Sequence, residues 1–365
     1  MVGERVVPVV APLGLTIWVV AGATALVVLL LAIVVARHLQ WVRHDRIRGR
    51  ARSELEPVFS RFLETGDHGQ LAEQLRPAFM RMDADERPVA AVLVTDVMRE
   101  APPSQREVLR GELERAGIVE LGERGTRRLS PWRRALACEM LGTIGSELAV
   151  PALVERLQDR RPEVRMAAVR ALGDIGSDEA IPALEGAFLD GRVAPTNVVL
   201  NALRRIGGEC APTFERGIAS EDPLIRVSSC FGLAGLAGQY GAAAVRLAQA
   251  LDSDSDPRVR TAAASALGLV GGGSAPRELV DATTDPEVHV RRSAVKALGS
   301  FDDPTTGEAL VNRAEDDDRE TALRAAEALL ALAGRPRAAP EARALLESSP
   351  SWAVEYARTV AEVSA

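Results

Sequence analysis

The segment PEVRMAAVRALGDIG, residues 162–176, returns in altered form as PRVRTAAASALGLVG from Pro257 and as VRRSAVKALGSFDD from Val290. Taking the residue after the leucine of each ALG-like triplet as a marker gives Gly142, Gly173, Arg204, Ala234, Gly268, Gly299, Leu330 and Ala361. The steps between them are 31, 31, 30, 34, 31, 31 and 31 residues. A period this regular requires stacked copies of one supersecondary unit.

The register assigns a role to each position. One residue before the marker stand Leu141, Leu172, Leu203, Leu233, Leu267, Leu298, Leu329 and Val360, an unbroken apolar row expected to face inward. One turn earlier come Cys138, Val169, Leu200, Cys230, Ala264, Val295, Ala326 and Ala357, on the same helical face. Two of the chain's three cysteines thus sit in a core register and read as small apolar residues. With Cys210 they show no CxxC spacing, and the four histidines are scattered, so no metal site is assigned.

Helix starts are marked by Pro131, Pro162, Pro223, Pro257 and Pro350, eleven residues before their markers, where a missing N–H goes unnoticed. Ser130, Asp222, Asp256 and Ser349 precede four of these prolines as expected caps. Between marker and next start there is room for a shorter helix, with Val150, Leu153, Leu157 and then Ile181, Leu184, Phe188 at helical spacing. The unit is a helical hairpin. One hairpin cannot cover its own apolar face, so the expected fold is all-α, an α-solenoid of stacked hairpins over residues 129–365.

An arginine recurs eight residues before the marker, as Arg134, Arg165, Arg226, Arg260 and Arg291. It is expected to align the stack by bonding carboxylates or helix-end carbonyls of adjacent turns, with Asp159, Asp222, Asp256 and Asp285 as partners.

Toward the N-terminus the pattern changes. Residues 14–36 hold no charge over 23 residues, roughly 34 Å as a helix. Arg37, Arg43, Arg46, Arg48, Arg50 and Arg52 follow at once, a topology signal or an anionic head-group site in the basic segment 37–52. The expectation is a single-pass membrane protein with residues 1–13 outside, a transmembrane helix over 14–36 and the repeats in the cytoplasm. Residues 53–128 suggest four helices, from Leu55, Phe59, Phe62; Leu71, Leu75, Phe79; Val89, Val92, Leu93; and Val108, Leu109, Leu113. The last is opened by a capping box at Ser104–Glu107. These residues read as a helical N-terminal cap or as degenerate repeats.

Charge bears on partners. Residues 1–52 carry seven arginines against Glu4 and Asp45, a net of +5, which leaves −12 of the chain's total of −7 on the remainder. An acidic body with 4% aromatic residues lacks the footprint and stacking platforms of a nucleic-acid binder, so no nucleic acid is expected.

The repeated hairpins resemble HEAT repeats of the short bacterial type. The motif D-x-x-x-V-R-x-x-A-x-x-A-L-G-x-x-G is carried almost intact in residues 159–176 and 256–271. The resemblance implies a bacterial protein, at the inner membrane, that acts as a scaffold for a protein partner and assists a membrane or envelope enzyme such as a glycosyltransferase. It implies no enzymatic activity, catalytic residue or cofactor. In HEAT arrays the second helix of each hairpin commonly lines the concave face, which makes Arg156, Glu185, Glu215, Arg216, Arg246, Arg277 and Glu278 the candidate partner-binding residues. A few HEAT-like proteins are enzymes. The paired His-Glu motifs of a metal hydroxylase and the basic concave face of a DNA glycosylase are missing here, whereas the residues do not separate the chain from bilin lyases, so tetrapyrrole or small-ligand chemistry stands as the alternative. The oligomeric state is left open.

Overall fold

The computed structural model describes residues 49–364, and they divide into two compact units between Val108 and Leu109. The expected span 14–36 lies outside the described residues, as do Arg37, Arg43, Arg46 and Arg48. Among the described residues no helix is long and apolar enough to cross a membrane, so the assignment to a bilayer as a single-pass protein is corrected. Arg50 and Arg52 are exposed on the first described helix, and Arg50 pairs with the buried Glu86 at 3.3 Å, a structural use of a charge read above as facing lipid.

The N-terminal unit is built from helix α1 (49–65), α2 (Leu71–Arg81), α3 (Arg87–Glu100) and the start of α4 (Pro103–Arg115). Leu55, Phe59 and Phe62 of α1 and Leu71, Leu75 and Phe79 of α2 are buried as their spacing requires. Helix α3 turns a different face inward: Ala90, Ala91, Val94 and Met98 are buried while Val92 is 44% exposed. The buried Ala90, Val94 and Met98 recur every four residues, and Val92, midway between the first two, falls on the opposite side of the helix. Helix α4 opens at Pro103, which places Ser104 inside the first turn and not at a cap.

The C-terminal unit begins in α4 and adds a short helix not foreseen, α5 (Ile118–Gly125), with Ile118 and Val119 fully buried. Hairpins follow. Their first helices are α6 (Pro131–Ile144), α8 (Pro162–Ile175), α10 (Thr196–Ile206), α12 (Pro223–Gly235), α14 (Pro257–Val270), α16 (Val288–Leu298), α18 (Arg319–Leu332) and α20 (Trp352–Ser364). Their second helices are α7 (Val150–Arg156), α9 (Ile181–Asp190), α11 (Ala211–Ile218), α13 (Ala243–Ser253), α15 (Arg277–Asp281), α17 (Gly307–Arg313) and α19 (Ala339–Ser348). Each first helix packs on the first helix of the next hairpin, which makes one layer of first helices and one of second helices. Among the described residues there is no strand, only a single bridge between Gly272 and Phe301.

The seam leucines from Leu141 to Leu329 have no exposed surface. Val360 departs, at 46% exposed, on the terminal helix α20. Leu200 is half-buried and Val199 takes its place, because Pro195 starts α10 later than the other first helices start. Both glycines of the motif have a use. The last one ends the helix in the left-handed region, with φ of 74° at Gly145 and 71° at Gly176. The marker glycine lies against an alanine of the next hairpin: a Cβ at Gly173 would stand 2.6 Å from the Ala202 Cα.

The recurring arginines knit the stack together. Arg260 donates from Nε and Nη2 to the two Asp285 oxygens at 2.8 and 3.0 Å, and from Nη1 to the Asp254 carbonyl at 3.0 Å. Arg226 does the same with Asp254, Arg291 with Asp316 and Arg134 with Asp159. The Asp254 side chain therefore holds one arginine while its carbonyl accepts from the next, and Asp285 repeats the arrangement with Arg260 and Arg291. Arg165 reaches backbone only, at Val193 and Asp159. Asp222 and Asp256 do not serve the ladder. Each accepts the N–H two residues ahead, at 2.8 Å, and so caps α12 or α14.

Burial pushes the carboxyls of Asp159, Asp285 and Asp316 up, but the guanidinium bonds and a backbone N–H two residues ahead outweigh it and hold all three below the usual carboxylate range. A carboxylate depressed in the folded state contributes stability above its unfolded value of about 3.9 and loses that contribution as pH falls through the lower folded value. The melting temperature is expected to fall steeply below about pH 4. Asp285→Asn should flatten that acid limb; an unchanged limb would separate the ladder from acid unfolding.

Candidate functional site

The candidate residues lie on the second-helix layer, and the repeat brings four of them together in pairs. Glu185 of α9 receives Arg216 of α11, and Thr213 adds a hydroxyl at 3.4 Å. Glu215 of α11 receives Nε of Arg246 from α13 at 2.6 Å. In each case the partner stands 31 residues on, so the period that stacks the helices also matches acid to base.

The second pair carries an addition that the sequence reading missed. The 34-residue step between Ala234 and Gly268 holds the α12–α13 connection, residues 236–242, and α13, which at 11 residues is the longest of the second helices. From the connection Tyr240 donates its phenol to Glu215 at 2.6 Å, and the Gln239 side chain lies against Gly207 and Gly208. The irregular step was visible as a signal. The phenol, followed by the guanidinium of Arg246, holds the Glu215 carboxyl below its ordinary range, and the same contact pushes the Tyr240 phenol up.

Beside this triad an open polar groove of about 650 Å³ runs between α11 and α13. Glu215, Arg246 and Gln249 edge it, Ser220 and Ser253 add hydroxyls, and the Arg226–Asp254 pair of the ladder also lines it. Arg246 remains 48% exposed although paired, so it still presents donors to a partner.

The other candidates are not brought in. Arg156 is only 16% exposed and leans on Glu155 and Asp159, at the edge of the ladder. Arg277 is 89% exposed at the start of α15 and reaches Asp281, one turn along its own helix, at 3.5 Å. Glu278 beside it is half-buried.

Glu215 is held ionised by two donors and is a poor proton acceptor. Cys138, Cys210 and Cys230 are buried, and burial pushes their thiols up to about 12, 11 and 12, far from a reactive thiolate. Among the described residues no group of three or more His, Cys, Asp or Glu is placed to hold a metal ion.

The family description that matches the chain is HEAT repeats, over residues 120–204, 211–288 and 276–361. No curated protein matches the chain in sequence. Among solved structures, a mutant of Kap121p matches with a TM-score of 0.53 at 14% identity, over 76% of this chain and 35% of that one. Human deoxyhypusine hydroxylase in complex with glycerol matches with a TM-score of 0.28 at 24% identity, over 72% and 97% of the two chains. The CpcE–CpcF complex of phycocyanin lyase from Nostoc sp. PCC7120 matches with a TM-score of 0.33 at 18% identity, over 76% and 94%. At 14% identity the likeness to Kap121p is one of fold alone.

Proposed function

Because the chain belongs to the HEAT-repeat family, we propose that it is a scaffold that binds a protein partner on its second-helix layer, centred on the groove between α11 and α13. Residues 129–365 form the binding array in this reading, and 53–128 its N-terminal cap. The observation that carries the proposal is the coincidence of the one long step in the repeat with the one triad of Tyr240, Glu215 and Arg246. The step before the long one is one residue short, at 30, and the added residues fall in the hairpin that carries the groove. The mixed, ionised and part-exposed groups suit the surface of another protein, where matched charge sets selectivity more than affinity.

A photoreactive phenylalanine analogue placed at Gln249 or Ser253 tests this in the organism's own cells. One discrete protein adduct is expected from either position and none from Glu147, a surface residue of the α6–α7 turn. Arg246→Glu should abolish the adduct while leaving the melting temperature nearly unchanged, since a solvent-screened pair contributes little to stability. Identical adducts from Gln249 and Glu147, or none from the groove, would remove the proposal.

A further inference from the structure

Four consecutive first helices contain no aspartate or glutamate. Helices α10, α12, α14 and α16 read TNVVLNALRRI, PLIRVSSCFGLAG, PRVRTAAASALGLV and VHVRRSAVKAL. Their flanks do hold acids, Glu163 and Asp174 on α8 and Glu320 and Glu327 on α18. In a chain of net charge −7 this stretch is an exception. The ladder arginines Arg226, Arg260 and Arg291 are spoken for by aspartates. At the surface remain Arg204, Arg205, Arg258, Arg292 and Lys296. Arg205, Arg258 and Arg292 pair with Asp174, Asp256 and Asp318 from outside these helices. Arg204 and Lys296 are exposed and make no ion pair among the described residues.

The same layer carries an apolar stripe, and the repeat supplies its own control. Ten, seven and three residues before the marker, α16 shows His289, Arg292 and Lys296, and α18 shows Glu320, Leu323 and Glu327. At those registers α12 shows Leu224, Val227 and Phe231. Leu224 is 60% exposed, Val227 and Phe231 are half-buried, and Leu269 on neighbouring α14 is 72% exposed. Helix α12 buries Ile225, Cys230 and Leu233 on its inner side, so it is apolar on both faces. A helix of that kind at a surface marks a partner's seat.

We infer that the outer face of α12 and α14 receives an amphipathic helix of a partner protein, with apolar anchors on one side and aspartates or glutamates along its flanks. The stripe from Leu224 to Phe231 is about 10 Å long, two turns, which matches anchors at helical spacing. Arg204 on α10 and Lys296 on α16, the exposed cations with no ion pair among the described residues, stand on the helices that flank α12 and α14 and would meet a partner's acidic flanks. This face is the first-helix layer, separate from the groove between α11 and α13, and it rests on different observations.

The test uses the full chain and three fluorescein-labelled probes followed by anisotropy. One is a roughly five-turn peptide with leucines at helical spacing and glutamates elsewhere. The second has every glutamate replaced by lysine. The third is a DNA duplex of about two turns. The acidic peptide is expected to bind, at least about tenfold more tightly than the lysine peptide, and to weaken as salt rises. Leu224→Glu combined with Leu269→Glu, and separately Lys296→Glu, should each weaken it about tenfold, whereas Arg246→Glu should not. The substituted side chains are exposed, and thermal melts establish that the variants fold; Lys296→Glu decides alone if the double variant does not. Equal binding of the two peptides, no binding of the acidic one, or a duplex that binds more tightly and ignores Leu224→Glu would overturn the inference.

Discussion

Gly173→Ala is expected to destabilise the fold by about 2 kcal/mol, against the usual sign of a glycine-to-alanine change in a helix. Alanine ordinarily gains about 1 kcal/mol there because it restricts the unfolded chain. At Gly173 the new Cβ would stand 2.6 Å from the Ala202 Cα and 2.7 Å from its Cβ, so α8 and α10 must move apart along a well-packed seam. Ala202→Gly would not rescue it, since the backbone carbon is itself too close. For a unit of this size the loss lowers the melting temperature by about 4–8 °C. The series should be graded by distance: Gly142, at 2.5 Å from the Ala171 Cα, as severe; Gly268, at 3.0 Å from the Ala297 Cα, milder; Gly299, at 3.2 Å from the Ala328 Cα, mildest. Gly186 of α9 has nothing within 4 Å of its added Cβ and supplies the opposite outcome, a gain of about 0.5–1 kcal/mol. Equal effects at Gly173 and Gly186 would show that close approach does not constrain the marker position.

The seam and the hairpins were legible in the sequence because a period of 31 residues repeats the same burial: Leu172 on α8 and Leu298 on α16 are each covered where the first helix of the next hairpin, α10 or α18, packs on their own. What misled was competition at short range. Asp222 and Asp256 look like ladder partners, but each caps its own helix through the N–H two residues ahead, Asp256 is further held by Arg258 of that same helix, and Asp254 is left to serve Arg226. Bulk misled on α3, where Val92 points out and the alanines in. Of the candidate site, Glu185, Arg216, Glu215 and Arg246 were legible as second-helix charges, and their pairing follows from the period. Tyr240 was not, because it belongs to the hairpin of the 34-residue step, where the register of the other repeats no longer places side chains. Arg277 was grouped with them by position, yet α15 starts only at that residue, so its side chain meets Asp281 of its own helix instead of α13.

Arg260→Ala is expected to destabilise the fold by about 3 kcal/mol. The side chains of Arg260 and Asp285 are 14% and 10% exposed, so the pair is mostly withdrawn from water. Removing the guanidinium leaves the Asp285 carboxylate with one N–H donor, from Glu287, and deprives the Asp254 carbonyl of its side-chain partner. Breaking a buried pair from one side leaves the other charge uncompensated, which is worse than never having had it. Asp285→Asn in the Arg260→Ala background should therefore recover part of the loss, because the orphaned charge is gone. Arg165→Ala offers the contrast: its partners are the Val193 and Asp159 carbonyls, no carboxylate is stranded, and about 1 kcal/mol is expected. Urea melts of the three variants decide the matter. If Asp285→Asn fails to improve Arg260→Ala, the arginine acts by filling space between hairpins and not by neutralising charge, and the carboxylate's depressed titration would need another stabilising partner. Binding to the α11–α13 groove supplies a second, independent reading. Arg260 lies outside the groove lining whereas Arg226 lines it, so Arg260→Ala should lower stability without weakening an adduct at Gln249 under conditions where the chain is folded.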